Sequence, residues 1–298
     1  MKKLFSGRFR DSRIIEGIFL MTPSLIIFSL FIVYPLLYSI FLSFHEWSIL
    51  DPEKIFVGLE NYKQLITDIR FHNALRNTLK FTLGVVPIGC LISLGLAILV
   101  NRKLPGIKLF KALFYLPVLP SMVVISLIWM LILDPYTGLL TFLLRSVNIR
   151  VHPWLSDPTW ALPTVMVMAI WKNMGYYMVI FLAGLVGIPK EFYEAAQIDG
   201  ANAWQSFLKI TLPMLKPTTL FILVMSTISS FQVFDQVYVM TSGGPLMTTE
   251  VGVFYIYQTA FEKYDMGYAS ALSIVFFGII FIMTCLEFKI FGYYEKGV

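Results

Sequence analysis

The sequence predicts an all-α membrane protein with six transmembrane helices and both termini on one side of the bilayer. Three observations carry that prediction. The 298 residues are 57% hydrophobic and only 14% charged, with a mean hydropathy of +0.75, where a soluble chain carries roughly 25% charged residues. Six apolar runs reach the roughly 20 residues a helix needs to cross a hydrocarbon core. Lys and Arg lie unevenly on the two sides that those runs define. The net charge of +5 follows from this topology and is not a nucleic-acid footprint. Cys90 and Cys285 each sit inside an apolar run, which predicts free thiols, with no disulfide or metal spacing.

In chain order, residues 1–13 form a basic tail and residues 14–298 one membrane domain. The tail's positive charge precedes an apolar run too long for a cleaved leader, so the run reads as a first span. The spans fall near 17–44, 81–100, 112–133, 160–186, 217–240 and 266–286. Lys2, Lys3, Arg8, Arg10, Arg13, Arg102, Lys103, Lys108, Lys111, Lys190, Lys209, Lys216, Lys289 and Lys296 then share one side, fourteen in all. Lys54, Lys63, Arg70, Arg76, Arg145, Arg150 and Lys263 make seven on the other. The richer side is cytoplasmic by the positive-inside rule. Trp47, Trp154 and Trp160 fall near outer span ends, as an aromatic belt does. His45, His72 and His152 lie outside the spans, without metal-ligand spacing or an acidic partner placed by sequence.

The longest amphipathic stretch on the cytoplasmic side is the 187–216 loop. Pro189 suits a first helical position, and Glu191 and Glu194 suit the first turns. Gly200 stands where a helix C-cap would stand. Trp204, Phe207 and Leu208 repeat at i, i+3 and i+4 in a second short helix. Two short helices in an L make a knob that another protein can grip; the plain alternative is a helix lying on the lipid surface.

Glu194-Ala195-Ala196, then Gly200, then Ile210-x-Leu212-Pro213 resembles the EAA signature of binding-protein-dependent ABC importer permeases. The resemblance extends to Val57–Tyr62, Phe71–Thr78, Gly243-Gly244-Pro245, Thr248-Thr249-Glu250 and Gly267–Ala271, and is to the sugar-importer, maltose-permease-like branch. It implies the type I ABC importer permease fold. It also implies that Glu194, Ala195, Ala196, Asp199, Gly200, Ile210, Leu212 and Pro213 form a coupling helix that docks on a cytoplasmic ATPase.

Inside the spans, Lys172 and Asp235 are ionisable and expensive to bury. They either pair with one another or belong to a polar lining. Stripes at helical spacing accompany them: Lys172 with Tyr176 and Asn173 with Tyr177, each four apart in the fourth span, and Ser229, Gln232 and Gln236 in the fifth. The resemblance places sugar contacts at Lys172, Asn173, Tyr176, Phe231, Gln232 and Asp235, with Ser121 at the start of the third span.

The function implied is a non-catalytic permease subunit. The chain shows no Gly-x-x-x-x-Gly-Lys-Ser/Thr phosphate loop, so it binds no cofactor itself, and ATP and Mg belong to partner ATPase subunits. The partners implied are a second homologous permease making a heterodimer, two cytoplasmic ATPases, an extracellular or periplasmic solute-binding protein and lipid, with no nucleic acid. The location implied is the bacterial inner membrane, multi-pass. A secondary transporter using Lys172 and Asp235 as an ion relay is the competing class; it leaves the EAA loop unexplained.

Overall fold

Helices dominate the computed structural model, which describes residues 18–102 and 105–291. The basic tail, Gly17, Lys103 and Lys296 lie outside those residues. The chain divides into two compact units, one running up to Thr67 and including Thr259–Val275, the other Asp68–Gln258 with the chain from Phe276 onward.

In the first unit, α1 spans Ile18–Leu42, about 37 Å at 1.5 Å per residue. Its side chains are almost all exposed. Pro35 is accommodated without a break by a π turn over Ser29–Val33, where the Tyr34 N–H reaches back to the Ser29 carbonyl. After α1 comes a hairpin the sequence reading did not anticipate. Strands β1 (His45–Ser48) and β2 (Asp51–Phe56) pair antiparallel, with an irregularity between Glu46 and Ser48. The all-α prediction is therefore corrected by two short strands; four to six residues with a bulge are too few to show a period-2 pattern. Helix α2 follows at Glu60–Thr67. The Val57–Tyr62 string has a concrete job here. Asn61 is buried and donates from Nδ2 to the carbonyls of Ser43 (2.9 Å) and His45 (3.1 Å), while the Tyr62 and Ser43 hydroxyls meet at 2.7 Å. Gly267 opens the last helix against the hairpin; a Cβ there would lie 2.0 Å from the His45 carbonyl oxygen.

In the second unit, α3 runs Ile69–Val100, 12 residues longer at its N-terminal end than the expected span from 81. Charged Arg70, Arg76 and Lys80 hid this extension from the apolar count. Its burial still follows a helical stripe through Phe71, Ala74, Thr78, Phe81 and Thr82. Asp68 caps it, accepting from the amides of Arg70 and Phe71.

The expected third span is two helices, α4 (Ile107–Val118) and α5 (Met122–Leu133), bent by 96°. Pro117 and Pro120 deny the helix its amides there, and Ser121 restarts it by accepting from the Val124 amide. A short helix α6, Leu139–Ser146, was not anticipated. Helix α7, Ala161–Val186, matches its expected bounds and packs most extensively on α3.

Helices α8 (Lys190–Ile198) and α9 (Ala203–Met214) build the L, and α10 (Lys216–Phe231) leaves α9 at 63°. The run expected to continue to Met240 stops at Phe231. Residues 232–234 are not helical, and α11 resumes at Asp235–Met240. No Pro or Gly marks this break. Phe231 and Val233 on either side of Gln232 are both buried in the core, so tertiary packing imposes it. Helix α12 is Gly252–Tyr257 and α13 is Met266–Ile290.

By length and composition α1, α3, α7 and α13 can each cross a membrane, and each bent pair, α4–α5 and α9–α10, passes the same criteria when taken together. Two apolar clusters hold the second unit. One joins Phe81, Ile125, Leu162, Val165, Met168, Val237 and Phe254; the other joins Ala97, Val100, Met178, Phe181, Leu215 and Ile222.

Candidate functional site

Along α7 the first cluster ends at Ala169 and the second begins at Met178. Between them the apolar packing gives way to polar side chains, and a cavity of about 310 Å³ opens. Phe81, Gly89 and Cys90 line it from α3, Asn173 and Tyr177 from α7, Ser226, Ser229 and Ser230 from α10, and Gln232, Asp235 and Gln236 from the break and the start of α11. The interrupted helix thus turns backbone and side chains of residues 232–234 toward a space, where irregular backbone inside a membrane is tolerable. Asn173 anchors itself by donating to the Ala169 carbonyl at 3.0 Å.

Of the seven residues expected to meet a ligand, the cavity brings together Asn173, Gln232 and Asp235. The other four have different surroundings. Lys172 is buried and aims at the α4–α5 bend, its Nζ 3.4 Å from the Val118 carbonyl. Gly175, one turn on, packs so closely on α4 that a Cβ would lie 2.0 Å from the Phe114 oxygen. This face of α7 therefore braces the bend, and the ammonium meets a carbonyl at the C-terminal end of α4, where a cation is favoured. Lys172 and Asp235 form no ion pair with each other. Tyr176 is exposed, with its ring against Tyr177. Phe231 is wholly buried, and Ser121 is occupied as the α5 cap.

The contribution of α3 was missed. Its signal is Phe81, Val85, Gly89 and Cys90 on one helical stripe, unremarkable in an apolar run. The Ser226, Ser229, Ser230 pattern at i, i+3 and i+4 was the better clue.

The 187–216 loop, expected to be cytoplasmic, is tightly built. Pro189, expected as the first helical residue, is instead the N-cap of α8, which begins one residue later at Lys190. At its other end Gly200 has φ +78°, the Ala201 amide bonds to the Ala196 carbonyl at 2.8 Å and the Gly200 amide to Gln197 at 3.1 Å, which is a Schellman close. Asn202 and Gln205 form a reciprocal capping box that starts α9. Tyr193 and Thr211 tie the arms together through their hydroxyls at 2.9 Å. A π turn over Phe207–Thr211 precedes Pro213, the same device used before Pro35. Glu194, Ala195, Asp199 and Pro213 are exposed and Ala196, Ile210 and Leu212 half-buried. Phe192, Trp204 and Ile198 (87% exposed) also face outward, so the knob carries apolar surface that the described residues leave uncovered.

At the opposite end of α3, Arg70 pairs with Glu250 at 2.6 Å and also bonds Gln258. Asn77 donates to the Met247 and Glu250 carbonyls at 2.9 and 3.0 Å, and Asn73 to Met247 at 2.8 Å. Thr78 accepts from the Gly252 amide. The Phe71–Thr78 and Gly243–Glu250 strings are thus two halves of one latch. In the loop before α7, His152 does have an acidic neighbour, Asp157 Oδ2 at 3.3 Å, an ion-pair approach without hydrogen-bond angles. The amide of Thr159 above all holds the Asp157 carboxyl below the usual carboxylate range. The described residues contain no group of three or more His, Cys, Asp or Glu placed to hold a metal.

Residues 86–290 match the sequence profile of the family described as binding-protein-dependent transport system inner membrane component. The chain belongs to this family. It is similar to the probable ABC transporter permease protein YurN of Bacillus subtilis, at 36% identity covering 94% of this chain and 97% of YurN. It is also similar to the arabinooligosaccharides transport system permease protein AraP of Bacillus subtilis, at 36% identity over 92% of this chain and 87% of AraP. In fold it matches a chain of a bacterial ABC transporter involved in the import of the acidic polysaccharide alginate, with a TM-score of 0.83 and 24% identity, covering 96% of this chain and all of that one. The resemblance drawn from the Glu194–Pro213 pattern is thus borne out at the level of the family. As an inner membrane component, the permease is a multi-pass membrane protein and a non-catalytic subunit.

Proposed function

We propose that this permease forms part of the transmembrane pathway of an ATP-driven importer for a sugar or oligosaccharide. The observation that carries the reading is the polar cavity enclosed between two apolar clusters. Its volume falls at the low end of ligand pockets, roughly 300–1,000 Å³. Amides and hydroxyls supply donors and acceptors for sugar hydroxyls, and the half-buried Tyr177 supplies a face for C–H surfaces. The AraP relative supports this cargo class. Each bent helix pair counts as one span in this reading, which makes six, with both termini cytoplasmic. The exposed knob around Glu194–Gly200 is the docking surface for a partner ATPase, which holds ATP and Mg. A second, homologous permease completes the pathway, and a solute-binding protein delivers cargo from outside. Nucleotide-driven closure of the ATPases moves the knobs and turns the cavity outward. The ion-relay reading lacks its central contact, since Lys172 and Asp235 do not meet.

Asn173→Ala and Gln232→Ala test the cavity. A neutral polar group in a helix bundle contributes on the order of 0.6 kcal/mol to folding, so both variants are expected to assemble with normal complex yield. Losing ligand hydroxyl contacts should reduce uptake of radiolabelled sugar tenfold or more. Full uptake in the double variant would remove the cavity from the pathway.

A further inference from the structure

The cavity lining has a sign. Its polar groups are the amides of Asn173, Gln232 and Gln236, a set of hydroxyls, and one carboxylate, Asp235. No Lys, Arg or His is among the lining residues. Lys172 adjoins Asn173 in sequence but directs its ammonium to the Val118 carbonyl behind the cavity. Asp235 makes no ion pair with any described residue, lines the cavity and is exposed.

An amide at this position would bond a sugar hydroxyl equally well and carry no charge. What a carboxylate adds is discrimination. A neutral glycoside can donate a hydroxyl to it in a charge-assisted hydrogen bond. An ammonium gains from it. A uronate, sulfonate or phosphate must approach a like charge between low-dielectric walls, with no cation in the lining to pair with it. We propose that Asp235 is a specificity-determining residue, a charge filter that admits neutral and amino-bearing glycosides to the cavity and turns away acidic ones. The inference rests on the cavity being the cargo site proposed above.

The chain supplies its own probe. Cys90 lines the cavity, and Cys285, the other cysteine, faces outward from α13. In a Cys285→Ser background, Cys90 can be titrated with the cationic trimethylammonioethyl and the anionic sulfonatoethyl methanethiosulfonates. The importer is held in nanodiscs of zwitterionic lipid with its co-purifying subunits, and each rate is divided by that for a small free thiol. Any effect of Asp235 on the thiol itself is common to both reagents and cancels in their ratio. The cation-to-anion ratio is expected to be on the order of tenfold, to fall to near unity in Asp235→Asn, and to persist in Asp235→Glu. A ratio near or below one in the unmutated cavity overturns the filter and leaves the cavity reading standing. A ratio that survives Asp235→Asn also overturns it, because the sign then comes from elsewhere. A Cys90 that neither reagent modifies, with or without nucleotide, overturns the water-filled cavity and the filter with it.

Discussion

At Gly200 one backbone angle sets the corner between α8 and α9. The sequence placed a C-cap glycine here, and the structure shows why glycine is needed: a Cβ at Gly200 meets nothing within 4 Å, and the constraint is the left-handed φ of +78°. Leu or Val at this position therefore fits in space and strains the chain. An L-residue in this conformation costs roughly 1–2 kcal/mol, with Asn the best tolerated. Gly200→Val is expected to loosen the Schellman close, and Gly200→Asn to keep most of it. Amide hydrogen exchange over 196–205 reads the difference; equal protection in both variants would refute the backbone account. Lys172 teaches the complementary lesson. Its charge in an apolar run was correctly suspicious, but sequence offered Asp235 as its partner, whereas the fold offered a carbonyl exposed by Pro117 and Pro120.

At the scale of elements, proline marks what could be read and packing decides what could not. The α4–α5 bend and the turn into α10 both fall at prolines that the sequence displays, although neither angle follows from them. Pro35 bends nothing sharply because a π turn precedes it. The break at Gln232–Phe234 has no local signal, and it is the one that shapes the cavity. Gln232 was legible from helical spacing, and Asn173 and Asp235 from the family resemblance; the α3 residues were not legible, because an apolar stripe reads alike whether it faces a core, a cavity or lipid. The Arg70–Glu250 latch was legible only as strings. Its physics is a buried carboxylate, with the Glu250 side chain 1% exposed against Arg70. Removing one partner of such a pair leaves a charge uncompensated, about 3 kcal/mol at the low end for buried pairs, which suits a partly exposed Arg70. Arg70→Ala is expected to release the 242–250 loop, whose Leu246 tip is already 86% exposed, to limited proteolysis. Glu250→Gln, which removes the charge and keeps hydrogen-bonding capacity, should protect it better. Equal cleavage of both variants and the parent would leave the loop held by Asn73 and Asn77 alone.

For the whole molecule, the remaining question is which way the permease faces. Helix α3 is 32 residues long, about 48 Å at 1.5 Å per residue, against a hydrocarbon core of roughly 30 Å. A third of it must stand outside, and its charged end, Arg70 to Lys80, is the part that can. That end carries the Arg70–Glu250 latch, while the other end of α3 leads into the basic stretch around Lys108 and Lys111. The positive-inside rule assigns the second end to the cytoplasm. The knob must lie on that same side if it meets an ATPase, since α7 runs antiparallel-wise from the Asp157 loop to Pro189 across one membrane thickness. The charge count and the proposed docking surface thus support the same proposed orientation. Single cysteines placed at Lys108 and Lys209 in a chain lacking Cys90 and Cys285 should react with an impermeant maleimide only after the membrane is opened. Cysteines at Asp51 and Arg145 should react in intact cells. Labelling of position 209 from outside would invert the topology and, with it, the assignment of the knob to a cytoplasmic partner.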